Sequence, residues 1–213
     1  YGDGHSERLI GRVLKETGAR AAVASKIPPK DMRWPSGESA EAAFPPDWIA
    51  ATTERSLKNL GVERLDLQQF HVWNDRWLDD PAWPEIWAAV EKLKKQGKIS
   101  HWGVSINSRA PQSALRLVKS GLCESVQVIF NLFEQEPQDE LFPLCAKKGV
   151  GVLVRVPFDE GGLIGTLTAD ATFPDGDFRA SYFAGKILAE TVSRAEALKK
   201  KLVPTAGATL AEA

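Results

Sequence analysis

Cysteine is scarce in this sequence: Cys123 and Cys145 stand far apart and form no C-x-x-C pair. That leaves no paired redox or metal-binding motif, no metal site is expected, and a reduced, cytoplasmic setting is the simplest reading. Neither sign of charge dominates. The 27 Lys and Arg against 28 Asp and Glu give a net charge of −1, which supplies no basic face for nucleic acid. No apolar run approaches the roughly 20 residues of a membrane span, so no membrane partner is expected. The dinucleotide fingerprint G-x-G-x-x-G is also missing: Gly2 and Gly4 fit its first positions, but Glu7 occupies the third. There is no initiator Met. The chain opens on YGDGHSERLIG, a Gly-rich turn running straight into a helix.

What is present is enough apolar side chain (43%) to bury one sizeable core, read as a single domain over residues 1–213. Seven Trp residues include four between Trp73 and Trp87, most of them expected in the core. Trp73 could equally wall a pocket. Strand-like and helix-like patterns alternate. Strands are expected over residues 21–25, 65–71, 99–105, 125–130 and 150–156. Ser6 reads as the cap of a first helix with the stripe Leu9, Ile10, Val13 and Leu14, and Asp47 as the cap of a second with Ile49, Thr53, Leu57 and Leu60. Further helices are expected around residues 83–93, 111–120, 138–148 (despite Pro143) and 186–202.

Such alternation indicates parallel β/α units, either doubly wound or closed into a barrel. Polar residues collect where strands end: Lys26, His71, Ser105 with Asn107, Asn131, and Arg155. Side chains converging from successive strand ends favour a (β/α)8 TIM barrel. Only five strands can be counted, so the barrel is incomplete. Thr209-Leu-Ala-Glu212 resembles a capping box at the far end. The expectation is that strands precede Tyr1 and that a helix and a strand follow Ala213.

Tyr1, Lys26 and His71 fall at successive strand ends. A phenol has an ordinary pKa of about 10, and a nearby ammonium lowers it by favouring phenolate. Such a cluster can give a proton to a carbonyl oxygen while hydride reaches the carbon. Each residue alone also has a plain structural reading: a chain-start Tyr, a solvated rim Lys, a satisfied core His.

The sequence resembles the aldo-keto reductase family over nearly its whole length. YGDGHSERLIG is similar to that family's Y-G-x-G-x-S-E-x-x-I-G, SLKNLGVERLDLQQFH to S-L-x-x-L-x-x-x-x-x-D-L-x-x-x-H, LKKQGKISHWGVS to L-x-x-x-G-K-I-x-x-x-G-V-S, and SVQVIFN to V-Q-x-x-Y-N. The resemblance implies NADPH-dependent reduction of a small-molecule aldehyde or ketone. It makes Tyr1 the proton donor, Lys26 the residue lowering its pKa, and His71 the group orienting the carbonyl. Ser105 and Gln127 would hold the nicotinamide carboxamide, and the Val156-Pro157-Phe158 turn would meet the cofactor phosphates. The family's adjacent Ser-Asn pair is spread over Ser105-Ile106-Asn107, and Arg155 stands where the family has an aromatic against the nicotinamide. The family's catalytic Asp and its adenosine-phosphate residues fall outside the sequence, so NADPH over NADH rests on the family alone.

Residues 27–46 form a Pro-rich loop on the strand-end side, a substrate lid or a passive connection. Two other readings compete with the reductase: a cofactor-binding or regulatory barrel without turnover, and a Schiff-base lyase using Lys26.

Overall fold

The computed structural model describes residues 3–35, 37–106, 110–203 and 210–212. Five strands appear: β1 (Ala24–Ile27), β2 (Leu65–Phe70), β3 (Ile99–Ser105), β4 (Ser125–Ile129) and β5 (Gly151–Arg155). They alternate with α1 (His5–Thr17), α2 (Ala40–Ala43), α3 (Pro46–Leu60), α4 (Trp83–Lys95), α5 (Leu115–Ser120), α6 (Leu141–Lys148), α7 (Arg179–Tyr182) and α8 (Ile187–Leu202). The sheet order is β1-β2-β3-β4-β5. The pairs β1–β2, β2–β3 and β3–β4 are parallel. Strands in chain order, each linked to the next through helix, are what consecutive right-handed β/α units produce.

Most expected elements occur within a residue or two of their sequence positions, and the differences have local causes. The first strand lies later than its apolar run suggests, with Lys26 inside it and Ile27 fully buried. Val23 already bonds to the second strand, its N–H donating to Asp66 Oδ2 at 2.7 Å. Gly4, in the left-handed region at φ 80°, caps α1, so Ser6 falls inside the first turn rather than at its cap. Pro46 occupies the first position of α3, where a missing N–H costs nothing, and Asp47 complements the dipole in that first turn. Residues 111–120 split into a 3-10 turn (Pro111–Ala114) and α5, because Asp75 from a distant loop accepts the N–H groups of Arg116 (2.6 Å) and Leu117 (3.1 Å). Pro143 lies at the third position of α6, where no intrahelical donor is lost. Thr209 lies outside the described residues; Leu210–Glu212 is a 3-10 turn.

The chain divides into two compact units, residues 1–128 with 136–153, and residues 129–135 with 154–213. In the first, alternation along β3 sends Trp102, Val104 and Ile106, all fully buried, to the core-forming face. They join Ile49, Leu57 and Leu60 of α3 and Ile86, Val90 and Leu93 of α4 in one cluster. Aromatic rings fill it: Phe44 stacks on Phe70 at 4.0 Å, and Trp102 lies edge-on to Trp87 at 5.4 Å and to Phe70 at 5.1 Å. Each fully buried large side chain of this kind contributes about 1.5–3 kcal/mol. The second unit has a smaller cluster of Leu163, Ala195 and Leu210, backed by Phe133, Leu198 and Val203.

Candidate active site

Backbone register builds the first part of the site. Lys26 of β1 pairs with Gln69 of β2, Gln69 with Gly103 of β3, and Gly103 with Ser125 of β4. Those four residues form one row across the sheet, on the face opposite Trp102 and Val104. Two residues further along each strand, His71, Ser105 and Gln127 fall on that same face, with Ser105 and Gln127 paired directly. The lower row is a polar floor. Gln69, 1% exposed, donates through Nε2 to Ser125 Oγ at 3.1 Å. It can do so only because Gly103 lies between them: a Cβ there would overlap the carbonyl and hydroxyl oxygens of Ser125. In the upper row Ser105 is buried and Gln127 half-buried. The main-chain carbonyl of Gln127 accepts the N–H of Ile106 at 2.8 Å, which carries the pairing one residue past the end of β3.

Lys26 and His71 line one open cavity of about 640 Å³. The backbone N–H of His71 donates to the carbonyl of Ile27 at 2.9 Å, extending the β1–β2 pairing to the histidine. Loop 27–46 contributes Met32 and Trp34 to the wall, and the exposed Trp34 ring lies edge-on to the His71 ring at 4.8 Å. Trp73 takes no part in that wall. It is 3% exposed, packs against Trp77 and Trp83, and donates its Nε1–H to Asp75 Oδ1 at 2.9 Å. Tyr1 and Asn107 lie outside the described residues.

Two polar clamps flank these rows. Glu7 of α1 accepts the hydroxyl of Ser25, the residue before Lys26, at 2.6 Å, and the side-chain amide of Asn59 in α3 at 2.8 Å. Burial pushes the Glu7 carboxyl up, but hydrogen bonds from Asn59, Ser25 and Ser56 outweigh it and leave the group below its ordinary value. Gly11 lets α1 approach α3, since a Cβ there would overlap the carbonyl of Leu60. The second clamp holds the segment after His71. Arg116 binds Asp79 through two 2.7 Å bonds, and Asp75 caps α5. Burial raises the Asp75 carboxyl despite its bonds to Trp73, Arg116 and Leu117. Burial likewise pushes the thiols up, Cys123 to about 12 and Cys145 to about 11, so neither offers a thiolate nucleophile near neutrality.

In the second unit, the chain beyond β5 is strained. Val156, Asp159 and Glu160 have φ of 58°, 48° and 55°, a region that costs a non-glycine residue about 1–3 kcal/mol. Polar side chains hold it. Asn131 donates through Nδ2 to the carbonyl of Val156 at 2.9 Å, and Asp159 accepts the hydroxyl of Tyr182 at 2.5 Å. Arg155 and Val156 are half-buried, whereas Pro157 and Phe158 are exposed. Sequence reasoning missed Trp34, the Gln69–Ser125 floor and both clamps. Glu7 and Ser56 stand in the quoted motifs, yet nothing local names their partners.

Among the described residues, no group of three or more His, Cys, Asp or Glu side chains could hold a metal ion, and no helix is long and apolar enough to cross a membrane. The model of a family described as the aldo/keto reductase family matches residues 1–212. The chain is similar to the Schizosaccharomyces pombe aldo-keto reductase yakc, named for NADP(+), at 28% identity over 84% of this chain and 52% of that protein. It is also similar to the Escherichia coli methylglyoxal reductase YeaE, at 29% identity over 76% of this chain and 51% of that protein. The chain thus spans about half the length of the curated relatives it matches. Among solved structures, the glycerol dehydrogenase AKR11B4 of Gluconobacter oxydans is similar with a TM-score of 0.76 and 30% identity, over 99% of this chain and 63% of that one.

Proposed function

The chain belongs to the aldo/keto reductase family, and on that premise we propose that the full-length protein reduces a small aldehyde or ketone to the alcohol with NADPH. Its five parallel strands with outer helices are an incomplete (β/α)8 barrel, and residues 1–213 are read as part of one barrel domain. The observation that carries the proposal is the shared face of Lys26, His71, Ser105 and Gln127, set by strand register. Nothing but chain order and β pairing is needed to bring those four residue types to one side of the sheet.

The residues present fit a nicotinamide cofactor. Ser105 and Gln127, with Asn107, offer donors and an acceptor for a carboxamide, and the backbone of the turn of Arg155, Val156, Pro157 and Phe158 is proposed to meet the cofactor phosphates. A nicotinamide cofactor held there would supply the hydride for the carbonyl carbon. The chain supplies the rest: Tyr1 gives its phenolic proton to the carbonyl oxygen, and Lys26 lowers the pKa of that phenol. His71 orients the carbonyl, with Trp34 bracing its ring. The cytoplasm, where NADPH is kept reduced, is the expected setting. The test is to measure NADPH binding by fluorescence and turnover on a reactive aldehyde with the full-length protein. Binding with turnover supports the reductase. Tight binding without turnover would make a cofactor-binding module the better reading, and absence of binding would overturn both.

A further inference from the structure

The left-handed turn after β5 has one side chain holding its most strained member. A β-branched residue is among the least suited to positive φ, yet Val156 adopts 58° there. Asn131, 7% exposed, bonds from both ends of its amide. Its Oδ1 accepts the N–H groups of Phe133 at 2.8 Å and Glu134 at 3.1 Å, and its Nδ2 donates to the Val156 carbonyl at 2.9 Å. The two donors at Oδ1 forbid the flipped amide, which would set an NH2 group against two N–H groups. A reciprocal pair of main-chain bonds between Asn131 and Glu134 (3.2 and 3.1 Å) closes the same turn. Asn131 is therefore a fixed donor aimed at one carbonyl.

That carbonyl matters electrostatically. The Val156–Pro157 peptide carries no N–H, so towards an anion it can present only a repelling oxygen. We propose that Asn131 is a positioning residue for cofactor binding, engaging the Val156 carbonyl so that the strained turn stands ready for the phosphates of NADPH. The proposal rests on the cofactor reading of this turn given above. It adds that residue 131 reinforces the turn from outside, at a Val156 carbonyl that within the turn accepts the N–H of Asp159 at 3.1 Å.

The experiment is a double-mutant cycle on the full-length protein, read as NADPH Kd by fluorescence. Asn131→Asp keeps acceptors for Phe133 and Glu134 but loses the donor to Val156. We expect its Kd to rise tenfold or more. Val156→Gly removes the Cβ that makes positive φ costly, so in the Asn131→Asp background it should recover at least threefold of that loss. Should Asn131→Asp fail to fold by circular dichroism, Asn131→Ser takes its place with the same expectations, since Ser keeps an acceptor and lacks the reach to Val156. An unchanged Kd in a folded Asn131 variant overturns the proposal. So does a loss that Val156→Gly cannot recover, which would reduce Asn131 to general support of the fold. If the wild-type protein does not bind NADPH, the cofactor reading itself fails and this role falls with it.

Discussion

Lys26, Ser105 and Gln127 stand at positions fixed by backbone pairing, Lys26 in register with Gln69 and Ser105 with Gln127, whereas Val156 stands in a turn its own side chain disfavours. On the sheet face, the candidate side chains are carried by geometry that the backbone adopts without strain. They can be changed with little effect on the scaffold, because the core lies on the other face, around Trp102, Val104 and Ile106. In the turn the backbone itself is the element proposed to bind. Main-chain bonds such as that from the Asp159 N–H to the Val156 carbonyl hold its shape together with polar bonds from Asn131 and Tyr182, so changing a supporting side chain bears on the candidate site. The difference separates substitutions that alter chemistry from substitutions that alter shape.

The sharpest way to break this comparison is to replace the residues proposed to move the proton. Tyr1→Phe in the full-length protein should lower carbonyl reduction about 10²-fold or more, the usual contribution of a positioned general acid, while NADPH binding is retained. Lys26→Met should act in the same direction. It removes the charge that favours phenolate, so the phenol's pKa rises and the high-pH limb of the rate profile moves upward. Unchanged turnover in Tyr1→Phe would remove the proposed acid. A large drop in melting temperature for Lys26→Met would contradict the claim that the sheet face is independent of the scaffold.

Next in size is the floor beneath those residues. Gly103→Ala puts a Cβ against the oxygens of Ser125 and should cost about 1–3 kcal/mol by overpacking, read from the denaturant midpoint. A neutral result would mean that the β3–β4 register relaxes easily. In the turn, Tyr182→Phe should cost about 1 kcal/mol by removing a partly buried bond to Asp159. The same variant should weaken NADPH binding if Asp159 helps to shape the turn. The smallest effect concerns pH. Glu7 is held below its ordinary carboxylate value, so its contribution to stability is fully present above the unfolded value of about 4.3 and is lost as pH falls through the lowered folded value. Melting temperatures should therefore drop more on acidification in wild type than in Glu7→Gln, and identical slopes would discount the clamp.

Much of the fold was legible because its signals are local. The apolar alternation of Leu65 to Phe70, the helical stripe from Trp83 to Leu93 and the glycines that end helices each act within a few residues. Helix starts were read less well. Ser6 and Asp47 look like caps, but Gly4 and the Pro45-Pro46 pair begin those helices through backbone conformation. The candidate site was legible only as residue types at strand ends. Which of them share a face depends on register, and the groups that hold them are distant in sequence: Glu7 reaches Asn59 across 52 residues, and Asn131 reaches Val156 across 25. Trp73 shows the limit of a purely local reading. Two residues from His71 it could have been wall or core, and only the ring contacts with Trp77 and Trp83 decide for core.

The attachment of α1 has a consequence in time as well as in space. The helix has no fully buried residue and is tied down by the Glu7 carboxylate, the seam at Gly11 and a partly buried Leu14, while β3 lies among fully buried aromatic and branched side chains. Amide hydrogen exchange should therefore divide the first unit, with α1 protons lost through a low-energy local opening and those of Trp102 and Val104 released only when the whole unit unfolds. Each such opening would break the bond from Glu7 to Ser25, the residue before Lys26. On the proposed role of Lys26, the fraction of molecules competent for proton transfer would then follow the opening equilibrium of one surface helix.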